Sequence, residues 1–111
     1  MEEAKEGLMA QAQFTKVATK SEIPSGSGKV VEAGGKKVAV FNYEGTFYAM
    51  DNTCKHRGGP LGEGRLSEKR VTCPWHGWEY DVTTGACQTD PSITVQKFDV
   101  KVDGDDILVA V

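Results

Sequence analysis

Residues 54–78 read CKHRGGPLGEGRLSEKRVTCPWHGW and include both histidines of the 111-residue chain. Each histidine follows a cysteine at short range, as CKH at 54–56 and as CPWH at 73–76, with sixteen residues between His56 and Cys73. Residue types this scarce would seldom fall into two such pairs by chance. The spacing therefore marks the two pairs as candidate metal ligands.

The ligand types allow two kinds of metal centre. Two cysteines and two histidines can hold one tetrahedral zinc ion, and common zinc modules place the cysteines together and then the histidines. Here each segment supplies one residue of each type. That mixing suits two metals, with Cys54 and Cys73 on one iron and His56 and His76 on the other. The residues favour iron and leave a structural zinc module open.

Outside this stretch, the sequence predicts short strands separated by turns. The predicted strands are residues 29–33, 36–41, 46–50, 70–72, 78–82, 93–102 and 106–111. Glycine-containing turns at 34–35, 44–45, 84–85 and 103–105 predict reversals between them. In residues 97–102 apolar and charged residues alternate, which predicts that Lys97 lies on a solvated face. We expect an all-β domain with antiparallel sheets.

Length and charge limit the organisation and the partners. The chain suits one domain, predicted over residues 13–111 after a tail at 1–12. Thirteen Lys and Arg against sixteen Asp and Glu give a net charge of -3, which argues against a nucleic-acid partner. No apolar run approaches the roughly 20 residues that span a bilayer, so we expect a cytoplasmic protein without a membrane partner. A reducing cytosol disfavours disulfides, so the cysteines are expected to be ligands or ordinary buried residues.

The pattern Cys54-x-His56 followed by Cys73-Pro74-x-His76-Gly77 resembles the signature of Rieske iron-sulfur proteins. The surrounding residues, HRGGPL and CPWHGW, resemble the ferredoxins of bacterial ring-hydroxylating dioxygenase systems, and the likeness extends from about residue 14 to 111. It implies the Rieske fold, with a small cluster-binding subdomain at about 52–82 formed by two loops. It also implies one 2Fe-2S cluster.

The ligands of that cluster, as the resemblance implies them, are Cys54, His56, Cys73 and His76. The implied function is one-electron transfer between a reductase, flavin-containing or similar, and a terminal oxygenase, which dock transiently at the histidine side of a monomer. An alternative is a small Rieske-like subunit of a nitrite reductase or another oxidoreductase. The residues argue against an oxygenase, because a Rieske oxygenase needs two further histidines and a carboxylate for a mononuclear iron. The two histidines of this chain are already assigned to the cluster.

The residues around the motif predict a low reduction potential within the Rieske range of roughly -150 to +300 mV. High-potential relatives join their cluster loops by a disulfide at the positions of Gly59 and Trp75, and have a serine donor at the position of Trp78. Tyr80 predicts a higher potential, because its hydroxyl could donate to a cysteine sulfur and stabilise the reduced state.

Two further features lie beside or outside the motif. Trp75 and Trp78 are expected to pack and shield the cluster loops, with partner contact as the alternative. Cys87 is expected to be an unligated thiol.

Overall fold

The computed structural model describes residues 14–54, 59–75, 77–90 and 92–110. These residues form nine strands, numbered in chain order: β1 (Phe14–Thr19), β2 (Ser27–Ala33), β3 (Lys36–Tyr43), β4 (Thr46–Asp51), β5 (Arg65–Ser67), β6 (Arg70–Thr72), β7 (Glu79–Asp81), β8 (Lys97–Asp103) and β9 (Asp106–Ala110). Two single 3-10 turns occupy Lys20–Glu22 and Leu61–Glu63.

The strands form two antiparallel sheets. The large sheet has the order β1-β9-β8-β4-β3-β2, and the small sheet has the order β5-β6-β7. Strands β1 and β2, at the two ends of the large sheet, contact each other, so this sheet curls around a core of its own. The predicted all-β fold with antiparallel sheets is confirmed.

Strand β3 explains how the small sheet is attached. Residues 38–42 are all buried, as expected for a strand covered on both faces. Val38 and Val40 belong to the core inside the curled sheet. Ala39 and Phe41 belong to a second core, which also contains Val71 and Tyr80 of the small sheet and both Cys54 and Cys73. The cysteines are thus held against the large sheet.

One predicted strand is wrong in extent, and two strands were not predicted. Residues 93–102 do not form one strand, because β8 begins at Lys97. The preceding residues pair elsewhere: the Val95 N–H donates to the Gly85 carbonyl at 2.9 Å, and Thr94 forms an isolated bridge with Ala86. The strands absent from the prediction are β1 and β5.

Some expectations concern residues that the structure does not describe. The predicted tail, residues 1–12, lies outside the described residues, as do His56 and His76. The limits 13–111 for the domain and 52–82 for the cluster-binding subdomain stay predictions. In the described part of the chain, the helical segments are too short to cross a membrane.

Candidate metal centre

Cys54 and Cys73 occupy matching places at the ends of two strands. Cys54 follows β4, and its N–H donates to the Gly59 carbonyl at 2.9 Å. Cys73 follows β6, and its N–H donates to the Trp78 carbonyl at 2.7 Å. Each bond joins residues five positions apart. The two bonds therefore close two loops of equal length, and each loop begins with the cysteine of one Cys–His pair.

The two thiols lie side by side in the interior. Both cysteines are 1% exposed, and neither forms a disulfide. Burial raises the pKa of the Cys73 thiol, the Trp75 N–H lowers it, and the neighbouring Cys54 thiol raises it again, for a net increase. Two adjacent buried thiolates are unfavourable without a cation, and metal coordination supplies the positive charge that stabilises them. The pair therefore fits the ligands of a metal centre.

The predicted ligand set is described only in part. The structure brings Cys54 and Cys73 together, whereas His56 and His76 lie outside the described residues. In the sequence, His56 falls between Cys54 and Gly59, and His76 falls between Cys73 and Trp78. The four-residue ligand set remains a prediction.

Hydrogen-bond donors approach both sulfur atoms. The Tyr80 hydroxyl oxygen lies 3.4 Å from Cys54 Sγ, and the Trp75 N–H donates to Cys73 Sγ at a donor-to-sulfur distance of 3.4 Å. A thiolate can only accept, so toward an ionised Cys54 the Tyr80 hydroxyl is the donor. The predicted contact between Tyr80 and a cysteine sulfur is confirmed. Such outer hydrogen bonds tune the potential of iron-sulfur centres.

Replacing Tyr80 by phenylalanine is expected to lower the midpoint potential by about 40 mV. The hydrogen bond stabilises the more negative, reduced state by about 1 kcal/mol, and 59 mV corresponds to a tenfold change in a one-electron equilibrium. Protein-film voltammetry measures the shift. Tyr48→Phe is the matched control, because it removes a hydroxyl packed against the same core. A midpoint that stays constant in Tyr80→Phe would show that the bond does not affect the centre.

Gly59 allows the two loops to touch. A Cβ atom at this position would lie 2.8 Å from Cys73 Sγ and 3.1 Å from Trp75 Cβ. A side chain would therefore push the sulfur or the neighbouring loop away. Gly59 and Trp75 are the positions matched above to the disulfide of high-potential relatives, and the structure places them in contact without one.

The two tryptophans differ. Trp78 is partly buried and packs against the core that contains the cysteines, as predicted. Trp75 is 50% exposed, and its Cβ and Cγ atoms pack against Gly59. Its shielding of the cluster stays a prediction. Cys87 is buried, and its sulfur accepts the Asp90 N–H at 3.3 Å.

For Lys97 the sequence pattern predicts the wrong solvent exposure. Alternation predicted a solvated side chain, but Lys97 is only partly exposed, and its ammonium group donates to the Val82 carbonyl at 2.9 Å. Burial lowers its pKa, while Asp81 and Asp99 raise it. Nothing in the local sequence signals this contact, because Val82 lies fifteen positions away.

Comparisons with known proteins agree with this geometry. The Rieske [2Fe-2S] domain family matches residues 13–108. Human apoptosis-inducing factor 3 is 36% identical over 89 residues, which cover 79% of this chain and 15% of that protein. The ferredoxin component of a naphthalene 1,2-dioxygenase system from Pseudomonas aeruginosa is 33% identical over 89 residues, covering 79% of this chain and 86% of the relative.

A solved structure gives the same result. In the complex of reduced oxygenase and oxidized ferredoxin of carbazole 1,9a-dioxygenase, one chain matches with a TM-score of 0.80 and 30% identity, over 87% of this chain and 92% of that one. The matched family carries one 2Fe-2S cluster, which is the cofactor predicted from the sequence. The family match over most of the length, together with the paired buried cysteines, shows that this chain belongs to the Rieske [2Fe-2S] domain family.

Proposed function

We propose that this chain is a one-electron carrier between a reductase and a terminal oxygenase, with Cys54, His56, Cys73 and His76 as the ligands of its cluster. The observation that carries the proposal is the pair of adjacent buried thiols, with the Tyr80 hydroxyl 3.4 Å from one of them. Ferredoxin components that match 79% and 86% of this chain support the same role.

The ligand charges suit electron uptake. When bound, a Rieske cluster supplies one-electron redox chemistry. Two thiolates contribute two negative charges and two neutral imidazoles contribute none, so the ligands balance the +2 charge of two ferric ions and two sulfides. Both cysteines are buried, and Tyr80 and the Trp75 N–H supply donors that offset the charge added on reduction.

The partner surface is proposed at the tip of the second loop, on the histidine side. Pro74, Trp75 and Gly77 are exposed there and flank His76 in the sequence. Trp75 is the most exposed large apolar side chain among the described residues, and tryptophan is enriched among residues that dominate interface energies. The complex of a related ferredoxin with its oxygenase supports an oxygenase as one partner. A monomer that binds each partner in turn, through a small interface, fits this role.

Trp75→Ala is expected to weaken association with the accepting oxygenase by about 2 kcal/mol, roughly 30-fold in Kd, because it removes the central apolar anchor. Its midpoint potential should stay close to that of the unaltered chain, since the hydrogen bond to Cys73 comes from the Trp75 backbone. The rate of reoxidation by the oxygenase, measured by stopped flow against oxygenase concentration, gives the change.

The control for Trp75 is Phe14→Ala. Phe14 is 39% exposed and lies on β1 of the large sheet, outside both cysteine loops. Its removal should leave the reoxidation rate unaltered. Equal loss of rate in the two variants would place the docking surface elsewhere.

The chain is proposed to act as a carrier and not as an enzyme, because both histidines would be occupied by the cluster. The alternative of a small subunit of a nitrite reductase comes second, since the relatives above 30% identity that match most of the chain include ferredoxin components of oxygenase systems. A flavin-containing reductase and a cytoplasmic location are part of the same proposal.

An anaerobic reductive titration tests the proposed function. The purified brown protein should take up one electron per chain and then return it to an oxidised Rieske oxygenase component. A colourless protein that contains stoichiometric zinc and accepts no electron would contradict the proposal and support a structural zinc module.

A further inference from the structure

Lys97 contacts both segments that bring Tyr80 to Cys54. Its backbone pairs with Met50 in β4, the strand that leads to Cys54. Its side chain reaches the turn after β7, where Nζ donates to the Val82 carbonyl at 2.9 Å. Val82 lies two positions after Tyr80 and is fully buried.

The Lys97 side chain packs through both its stem and its ammonium group. A Cβ atom on Gly85 would lie 3.1 Å from Lys97 Cγ and 3.4 Å from Cδ, so the stem runs across this glycine. The ammonium group lies 4.9 Å from the centre of the Tyr48 ring, which packs against the core that contains Tyr80 and Cys54. A cation over an aromatic face and a carbonyl acceptor together stabilise a partly buried ammonium group.

The charges around Lys97 are consistent with a retained cation. Asp81 and Asp99 both favour its charged form, against the burial that lowers its pKa. Asp81 is itself held in the turn, because its carboxylate accepts the Thr83 N–H at 2.8 Å and the Thr83 hydroxyl at 2.6 Å. The carbonyl that accepts the ammonium group therefore belongs to a turn that hydrogen bonds between Asp81 and Thr83 stabilise.

We propose that Lys97 is a positioning residue that sets the reduction potential by holding Tyr80 within hydrogen-bonding distance of Cys54. Two hydrogen bonds and a short stretch of chain connect Lys97 to the cysteine. The Lys97 ammonium group donates to the Val82 carbonyl, the backbone leads back two positions from Val82 to Tyr80, and the Tyr80 hydroxyl contacts Cys54 Sγ. This inference rests on the proposed function, because it assumes that Cys54 is a ligand of the cluster.

A double-mutant cycle separates positioning from a direct effect of charge. Lys97→Met removes the donor but keeps the apolar stem, and it is expected to lower the midpoint potential by most of the shift that Tyr80→Phe produces. In the Tyr80→Phe background, Lys97→Met should cause no further shift. Lys101→Met is the control, because Lys101 lies on the same strand with its ammonium group over Phe14, and the midpoint should not change.

Two additional measurements test the same role of Lys97 if the Lys97→Met variant folds poorly. Lys97→Gln keeps a neutral donor on a shorter stem and should also lower the midpoint. Hydrogen exchange at the Val82 amide, which donates to the Lys69 carbonyl at 2.8 Å, should become faster in both variants.

The outcomes are distinct. A midpoint that is unaltered in both Lys97 variants would overturn the inference, and so would shifts from Lys97→Met and Tyr80→Phe that simply add. An equal shift in Lys101→Met would assign the effect to net charge. If the unaltered chain shows no one-electron couple, the proposed function itself is wrong. A normal couple in the unaltered chain with no effect of the Lys97 variants contradicts only the role of Lys97.

Discussion

Cys54→Ser and Cys73→Ser are each expected to retain little or no iron and sulfide, whereas Cys87→Ser is expected to retain both in full. All three cysteines are equally buried, at 1% exposed, so burial alone does not distinguish them. Cys54 and Cys73 interact with each other and begin the two closed loops. The Cys87 sulfur instead accepts a hydrogen bond from the Asp90 N–H, which a serine oxygen can also accept.

Visible absorbance and iron analysis of the three purified variants measure this difference. Circular dichroism shows in each case whether the strands have formed. Loss of iron from Cys87→Ser alone, with both other variants loaded, would overturn the assignment of the thiol ligands.

Exchange of histidine for cysteine gives the second large effect. Each replacement of a neutral imidazole by a thiolate adds one negative charge to the ligand set and disfavours uptake of an electron. The double variant His56→Cys, His76→Cys is therefore expected to fall from the Rieske range toward about -400 mV, the value of plant-type clusters with four thiolates. Each single variant should lie between the two.

Arg57→Cys provides the control for an added thiol. It places a cysteine in the first loop of the sequence motif and leaves both histidines unaltered. Its midpoint should stay near that of the unaltered chain. Full iron content with an unaltered midpoint in the double histidine variant would show that the imidazoles are not ligands.

The parts of the fold that were predictable depend on local signals. The hairpin of β2 and β3 and that of β3 and β4 follow from short predicted strands separated by glycine turns, and both lie within two residues of the predicted positions. Strand β1 was missed because its partner is β9 at the opposite end of the chain, where Phe14 pairs with Ala110. Strand β5 has three residues, too few to show an alternating pattern.

The same distinction applies to the site. The cysteine and histidine spacing is a local pattern, and it led to Cys54 and Cys73, which the structure brings together. Tyr80 was found through the family resemblance, because many oxygenase ferredoxins have phenylalanine at this position. The contact between Gly59 and Trp75 and that between Lys97 and Val82 each join separate segments. Lys97 also follows the alternation of an exposed strand, so its sequence context indicates the wrong environment.

Pulsed EPR of the reduced protein, with histidine labelled by ¹⁵N, tests the central claim most directly. A rhombic signal with nitrogen couplings that change on labelling is expected, because two imidazoles would bind the reduced cluster through nitrogen. An iron-sulfur signal that does not change on labelling, or a protein with zinc and no signal, would contradict it.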